Sequence, residues 1–308
     1  MRYFLTLLAL LQLGRVHFLL GGFVLHALGV FMALYAGADF SVTALLWGQV
    51  AITSTQLMTH YANDYFDLEA DIANQTPTNW SGGSRVLVTS RLDAVIALRI
   101  ALIFAVTAFA ANLVLSLWVR PGLMTFALLI LAQALAWFYS APPLRLHSRG
   151  LGEATTAVIV PLLTPLVGYM LQAGQITLLP LLAAAPLCCL QMAMLLSIEF
   201  PDAEGDHQVG KQTLIVRLGA AAASRLYIAL IAAAYLMLPL LGTAGLPPLV
   251  VLFNLIPLPF ALFQIWHTVR GDWRIPSRWN LFAFYSIVLL MATSAAELAA
   301  FVLLVGLS

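Results

Sequence analysis

Residues 178–198 read LLPLLAAAPLCCLQMAMLLSI, a run of 21 residues without a single charged side chain. As an α-helix such a run is about 30 Å long, which matches the hydrocarbon core of a bilayer. Runs of similar length and character recur along the chain. Because lipid offers the backbone no hydrogen-bonding partner, and because these runs are too long and too continuously apolar for barrel strands, they predict membrane-spanning helices.

The chain as a whole is too apolar for a water-soluble protein. Hydrophobic residues make up 62% of its 308 residues and charged residues only 9%, whereas a soluble domain carries about 25% charged residues. We therefore predict an all-α, polytopic transmembrane helix bundle that forms one domain over residues 1–308. The nine predicted spans cover residues 16–37, 42–61, 94–118, 123–141, 152–172, 178–198, 220–241, 246–269 and 281–305.

The basic residues predict the orientation of these spans. With the N-terminus in the cytoplasm, Arg120 is the only one of the 14 lysines and arginines to fall outside, as the positive-inside bias requires. We expect a multi-pass protein of the cell inner (plasma) membrane, with its C-terminus outside. The net charge of +1 leaves no concentrated basic face, so no nucleic-acid partner is expected.

Acidic residues cluster in two short windows, which follow the second and the sixth predicted span and so share the cytoplasmic side. The first window, residues 63–71, reads NDYFDLEAD. On a helix continuing from the second span, part of this window forms a stripe about 100° wide. The stripe consists of Asn63, Asp64, Asp67 and Asp71. Carboxylates this close repel one another, so a bound cation is expected, and hard oxygen ligands favour Mg²⁺ over zinc.

The second window, residues 199–206, reads EFPDAEGD. If it is helical, Glu199, Asp202 and Asp206 share one stripe. Two such stripes facing each other could chelate metal ions bridged by a diphosphate. Ordinary solvated loops are the alternative interpretation of a charge run, but helical spacing of acids repeated on one side of the membrane favours the metal site.

Basic residues near the windows complete the predicted site. These are Arg85, Arg145 and Lys211. A departing diphosphate accumulates negative charge as its carbon–oxygen bond breaks, so cationic groups stabilise the transition state more than the ground state. Each of these residues also contributes to the positive-inside bias, which is the alternative reason for its presence.

These motifs resemble those of the UbiA superfamily of intramembrane aromatic prenyltransferases. The resemblance rests on Asn-Asp-x-x-Asp-x-x-x-Asp at residues 63–71, on Asp-x-x-x-Asp at 202–206, and on Tyr139-Ser140-x-Pro142-Pro143 between them. It implies a UbiA-like fold with a lateral opening that admits an isoprenoid diphosphate from the bilayer. It also implies two Mg²⁺ ions held between the acidic motifs.

The resemblance further implies roles for individual residues. The catalytic carboxylates are Asp64, Asp67, Asp202 and Asp206. The ligands of the metal ions are these four with Asn63 and Asp71, to which the spacing of the second window adds Glu199. The residues that bind the diphosphate are Asn63, Arg85, Tyr139, Arg145 and Lys211.

Two stretches resemble the menaquinone-pathway branch of that superfamily, the dihydroxynaphthoate prenyltransferases. They are RGLGE at residues 149–153 and GKQTLIVRLG at 210–219. We therefore expect a prenyltransferase of class EC 2.5.1 that prenylates 1,4-dihydroxy-2-naphthoate. That branch often leads into the second motif with Asn-Asn-x-Arg-Asp, whereas residues 198–202 read IEFPD. Because of this departure, 4-hydroxybenzoate and homogentisate remain alternative acceptors.

Other functions fit the sequence less well. A secondary transporter would carry acids near the membrane midplane, but here Glu297 is the main acid within a span. Transfer of a phospho-alcohol from a nucleotide diphosphate would need an Asp-Gly…Ala-Arg lead, which is missing. Two residues stay open: His60, one turn before Asp64, and Glu153, which either caps a helix or serves the acceptor pocket.

Overall fold

The computed structural model describes residues 2–307, and within that range it contains helices and loops but no strand. The predicted all-α class is therefore confirmed. Within these described residues, nine long helices carry the predicted spans. In chain order they are α1 (Val16–Tyr35), α2 (Val42–Phe66), α3 (Ala94–Val119), α4 (Leu123–Phe138), α5 (Gly152–Ala173), α6 (Leu179–Glu199), α7 (Ala220–Thr243), α8 (Pro248–Val269) and α9 (Pro276–Leu307).

Seven of these helices are long and apolar enough to cross a membrane. The other two are α2, which is 25 residues long but carries more polar side chains, and α4, which has 16 residues. A short helix, Arg2–Leu13, precedes α1. Several spans are irregular within their length: α3 ends in the π-helical stretch Leu115–Val119, α5 is π-helical around Pro161, α7 is interrupted at Met237, and α8 is interrupted before Leu258. Proline accounts for the irregularity in α5 and α8, because it lacks the N–H that continues a helix.

Helices α1 and α5 pack with their backbones in contact. A Cβ atom on Gly29 of α1 would lie 2.0 Å from the carbonyl oxygen of Pro165, and one on Gly168 of α5 would lie 2.5 Å from that of His26. Only glycine allows this approach, which is a common way for membrane helices to associate. Elsewhere α2 packs on α3, α6 packs on α7, and α9 contacts both α1 and α6.

The two acidic windows lie at the same end of the bundle, as the span count predicts. Helix α2 ends at Phe66 and the short helix Leu68–Ala73 follows, while α6 ends at Glu199 and the short helix Ala203–Gln208 follows. The predicted uninterrupted helix through the first window is thus broken at Asp67, whose backbone (φ −100°, ψ 3°) leaves the helical range. The two short helices pack so closely that a Cβ on Gly205 would lie 3.0 Å from the amide nitrogen of Asn74.

Candidate active site

A cavity of about 100 Å³ lies between the two acidic windows. The structure brings most of the predicted site residues to its wall. Those that line it are Asn63, Asp67, Asp71, Tyr139, Glu199, Asp202, Asp206 and Lys211. Asp64, Arg85 and Arg145 do not line it. The cavity therefore joins the end of α2, the loop after α4, the end of α6 and the loop that carries Lys211.

The ammonium group of Lys211 links the two windows. Its Nζ lies 3.0 Å from Oδ1 of Asp67 and 3.3 Å from Oδ1 of Asp206. His147 Nε2 lies 2.7 Å from the same oxygen of Asp67. Burial alone would raise the pKa of Asp67, but His147 and Lys211 outweigh burial and hold that pKa below its usual range. Burial likewise opposes the charge on Lys211, and the two carboxylates raise its pKa despite it. The Asp67 carboxylate and the Lys211 ammonium group are therefore both ionised.

Asn63 faces the cavity from the last turn of α2. Its Nδ2 donates hydrogen bonds to Oδ2 of Asp67 at 2.7 Å and to Oγ of Ser140 at 3.0 Å. Ser140 belongs to the segment that begins with Tyr139. The amide therefore ties the first acidic window to that segment and leaves its carbonyl oxygen near Arg15, whose Nη2 lies 3.4 Å away.

Asp64 lies behind the cavity rather than on its wall. It is 2% exposed and forms an ion pair with Arg15. Its other oxygen accepts hydrogen bonds from both the backbone N–H and the hydroxyl of Ser84. Asp64 thus anchors the loop that contains Gly82 and Gly83, and its carboxylate has its hydrogen-bonding capacity largely filled by protein groups.

The glycine loop passes directly over Asp71. Gly83 has a left-handed backbone (φ +70°), and a Cβ there would lie 1.9 Å from Oδ2 of Asp71. Arg85 follows with φ +62°, and its guanidinium donates to the backbone oxygen of Asp71 at 2.5 Å. Arg85 therefore holds the backbone of the first window and does not reach the cavity wall.

Carboxylates on the cavity wall are short of positive charge. Burial, together with the charges of Asp64 and Asp67, raises the pKa of Asp71 to about 8. Burial and the neighbouring Asp206 raise the pKa of Asp202 to about 7. Asp202 also accepts a hydrogen bond of 2.5 Å from Nδ2 of Asn74. Groups in this state favour a bound cation, which supplies the missing charge.

A divalent ion fits this wall only with further ligands. In the described part of the chain, no three histidine, cysteine or acidic side chains lie close enough to hold a metal ion by themselves. The carboxylates instead face each other across the cavity, and oxygens of a bound anion could complete the coordination. Oxygen-only donors of this kind suit Mg²⁺, which retains several ligands from water and phosphate.

The sequence also matches a known protein family. Residues 22–288 match the UbiA prenyltransferase family. The chain belongs to that family. It is therefore an intramembrane prenyltransferase and a multi-pass membrane protein, as the sequence motifs predict.

Individual UbiA relatives are distant in sequence. The 1,4-dihydroxy-2-naphthoate octaprenyltransferase of Bacillus subtilis (strain 168) is 26% identical over 255 residues, which cover 80% of this chain and 78% of that protein. The apo structure of a UbiA homolog from Aeropyrum pernix K1 has a TM-score of 0.65 at 16% identity, covering 92% of this chain and 97% of that one. A UbiA homolog from Archaeoglobus fulgidus bound to GPP and Mg²⁺ has a TM-score of 0.61 at 16% identity, with coverages of 96% and 99%.

Two ion-pairing residues at this UbiA-family site were not predicted from the sequence. Arg15 lines the cavity and pairs with Asp64, and His147 pairs with Asp67. In the sequence, Arg15 contributes only to the predicted orientation of the spans. Among the histidines, the sequence instead favours His60, because it lies one helical turn before Asp64. The structure instead places His60 Nδ1 2.7 Å from the carbonyl oxygen of Gly14. The one sequence feature that indicates a role for His147 at the site is its position between the Tyr139 segment and the RGLGE stretch.

Arg145 lies beside the cavity rather than on its wall. It lines an adjoining hollow that Asp67, Glu69 and Lys211 also border. Its backbone is left-handed (φ +43°), as are those of Arg15 (φ +45°) and Arg85 (φ +62°). Such a backbone costs roughly 1–2 kcal/mol for a residue other than glycine. Strained positions of this kind cluster at functional sites. Among the described residues other than glycine, four have a positive φ: these three arginines, which lie around the acidic windows, and Ser90.

A second group of polar atoms lies at the cavity, where Glu199 and Thr213 form part of the wall. Oε2 of Glu199 and Oγ1 of Thr213 are buried without a hydrogen-bond partner among the described residues. Glu153 lies against Glu199, within hydrogen-bonding reach, and its Oε1 is also unpartnered. Glu153 lies in the first turn of α5, where a carboxylate also offsets the positive end of the helix dipole. Unpartnered buried oxygens of this kind are costly, so a bound donor is expected here.

Proposed function

We propose that this UbiA-family protein transfers a prenyl group from an isoprenoid diphosphate to 1,4-dihydroxy-2-naphthoate, in a Mg²⁺-dependent reaction of menaquinone biosynthesis. The observation that carries the donor half is the wall of carboxylates from two windows, bridged by Lys211 and short of positive charge. The acceptor half is supported by the likeness to the Bacillus subtilis naphthoate enzyme and by the unpartnered oxygens of Glu153, Glu199 and Thr213.

The residues that would hold the ions are the carboxylates on the cavity wall. They are Asp67, Asp71, Asp202 and Asp206, with Asn63 beside them. Bound Mg²⁺, with two ions expected, supplies positive charge to the diphosphate oxygens. A solved family member from Archaeoglobus fulgidus binds GPP and Mg²⁺, which supports the same ligand pair here. We assign Asp64 to holding the glycine loop, because Arg15 and Ser84 already occupy its oxygens.

Lys211 has the most direct role among the chain's own cations. Its ammonium lies between the two windows, where the diphosphate would sit. When the allylic carbon–oxygen bond breaks, the electron pair leaves with the diphosphate, and Lys211 stabilises that charge as it develops. A ring carbon of the acceptor then forms the new carbon–carbon bond. For the naphthoate, the ring carboxylate leaves as carbon dioxide and restores the aromatic ring.

The prenyl tail has an apolar cleft available within the bilayer. The cleft lies among α1 to α5 and is lined by side chains such as Ile52, Leu129 and Leu163. Thr55 on its wall is eight residues before Asn63 on α2, which corresponds to about 12 Å along the helix. A tail that starts at the diphosphate site can therefore follow α2 into this cleft. An apolar cleft also excludes water, which would otherwise capture the allylic cation.

We assign Glu153, Glu199 and Thr213 to the acceptor. Phenolic hydroxyl groups donate hydrogen bonds, and the unpartnered oxygens of these residues accept them. This assignment departs from the sequence-based one for Glu199, which placed it among the metal ligands. The two glutamates contact each other, and neither forms an ion pair with a lysine or arginine in residues 2–307. They therefore suit an acceptor whose hydroxyl groups donate hydrogen bonds to them.

The orientation remains as the basic residues predict. We propose that the acidic windows face the cytoplasm of the inner membrane and that the C-terminus lies outside. Both windows lie at one end of the bundle, which supports this arrangement. Single cysteines introduced by Glu204→Cys and Gly306→Cys, both at exposed positions, test this orientation in intact cells. Only the cysteine at position 306, on the outside, should react with an impermeant thiol reagent.

The decisive experiment identifies the product. Purified protein in detergent receives one prenyl diphosphate and Mg²⁺ with dihydroxynaphthoate, 4-hydroxybenzoate or homogentisate in separate reactions, and mass spectrometry measures the products. We expect a prenylated naphthol that has lost the mass of carbon dioxide. Transfer to 4-hydroxybenzoate or homogentisate alone would reassign the acceptor, and turnover that persists in EDTA would overturn the Mg²⁺ requirement.

A further inference from the structure

A cleft of about 210 Å³ opens between the ends of α8 and α9. Six polar or charged side chains line it: Gln264, His267, Arg270, Asp272, Arg278 and Tyr285. It shares no residue with the cavity between the acidic windows. The prenyl-transfer reaction uses none of its residues, so its polarity needs a separate explanation.

Gln264 carries the strongest sign of a ligand. Its side chain is fully buried, and neither Oε1 nor Nε2 has a hydrogen-bond partner among the described residues. An amide buried without partners costs several kcal/mol in an apolar environment. Because Gln264 lines the cleft, an occupant of the cleft is the remaining source of a partner.

Charges around the cleft favour an anion. The carboxylate of Asp272 is already taken, since it accepts hydrogen bonds from His267 and Arg278. Arg270 pairs with no carboxylate in the part of the chain described, and its guanidinium instead lies over the ring of Trp266, 4.4 Å from the centroid. With two arginines and one aspartate, the cleft has an excess of positive charge. The planar guanidinium group matches the geometry of a phosphate.

The position of the cleft indicates where this anion comes from. Trp266 and Trp273 mark the ends of the helices, and tryptophan concentrates at the boundary between lipid and water. Exposed apolar side chains adjoin the charged groups, with Trp266 49% and Leu281 50% exposed. We propose that the cleft binds the phosphate group of an anionic phospholipid, whose acyl chains lie along the apolar surface beside it. Basic pockets between helix ends bind lipid headgroups in this way.

Lipid binding to the purified, delipidated protein tests the proposal. Native mass spectrometry measures the binding of phosphatidylglycerol, of phosphatidylcholine and, in a third arm, of inorganic phosphate. We expect saturable binding of phosphatidylglycerol. We expect Arg270→Ala to weaken it roughly ten-fold or more, as for loss of a charge-assisted hydrogen bond. Gln264→Leu, which keeps the shape but removes the amide, should weaken it as well.

Arg274→Ala is the matched control. Arg274 lies over Trp273, at 4.7 Å from the ring centroid, and does not line the cleft, so its replacement removes the same charge from the same loop. Equal weakening by Arg270→Ala and Arg274→Ala would show general surface charge and overturn the proposal. Inorganic phosphate that competes as tightly as the lipid would overturn the lipid assignment. Arg270 is exposed, so its variant should fold, and unchanged thermal unfolding verifies this.

Discussion

The ammonium nitrogen of Lys211 lies 3.0 Å from Oδ1 of Asp67, although the two residues are far apart in the sequence. The same ammonium lies 3.3 Å from Asp206. One lysine thus touches both acidic windows and marks the place where a diphosphate would be held between them.

Replacing this lysine should slow prenyl transfer far more than it destabilises the fold. Lys211→Met removes a cation at the developing charge, and loss of one such donor lowers kcat by about 100-fold or more. Lys211→Arg keeps the charge and should retain part of the activity. Initial rates with labelled prenyl diphosphate measure the effect. Full activity of Lys211→Met would place the diphosphate elsewhere.

Carboxylates of the two windows should be indispensable, unlike their exposed neighbours. Asp67→Ala and Asp202→Ala should abolish Mg²⁺-dependent diphosphate release, because each removes an oxygen ligand from the cavity wall. Glu69→Ala and Glu204→Ala are matched controls, since both side chains are exposed and neither lines that wall. Diphosphate release and thermal unfolding are measured for all four. Retained turnover in either aspartate variant contradicts the proposed site.

The metal-free protein should lose stability as the pH rises, and Mg²⁺ should restore it. The pKa of Asp71 is raised to about 8 and that of Asp202 to about 7, while the pKa of an aspartate in an unfolded chain is about 3.9. The folded state therefore holds protons that the unfolded state has lost, so the free energy of unfolding falls between about pH 4 and pH 8.

A Mg²⁺ ion that binds these groups must displace the protons. The increase in Tm that Mg²⁺ produces should therefore be larger at pH 8.5 than at pH 5.5, and thermal unfolding in detergent measures it. Asp71→Asn removes one of the two titrating groups and should reduce the pH dependence. A Mg²⁺ effect that is equal at both pH values, or larger at the acidic one, would disprove this linkage.

Part of this structure follows from the sequence in simple physical terms. Long apolar runs predict the spans because each helix must cross the same thickness of lipid, and the positive-inside bias predicts that both windows share one side. The position of Asp64 behind the cavity could not be predicted, because its partners Arg15 and Ser84 reach it only through tertiary packing. Arg15 and His147 were missed because only tertiary packing brings them to Asp64 and Asp67.

Gly83→Ala should inactivate the protein through the position of Asp71. The new Cβ would lie 1.9 Å from Oδ2 of Asp71, so the carboxylate must shift from its position on the cavity wall. Gly37→Ala is the control, because its φ of +86° is also positive but nothing lies within 4 Å of the added carbon. Both variants should lose roughly 1–2 kcal/mol of stability. Only Gly83→Ala should lose turnover, and equal activities would remove the loop from the site.

The acceptor assignment makes a kinetic prediction for Glu153. Its carboxyl group lies against Glu199, and the residue is 1% exposed. Glu153→Gln keeps the size but replaces one accepting oxygen with a donor, so a phenolic hydroxyl loses a partner. We expect KM for the acceptor to rise roughly ten-fold, as for an unsatisfied buried group, with KM for the prenyl diphosphate unchanged. Initial rates with each substrate varied in turn separate the two constants, and Glu153→Asp should recover part of the loss. If both KM values rise together, or only stability falls, Glu153 supports the fold and the acceptor lies elsewhere in the cavity.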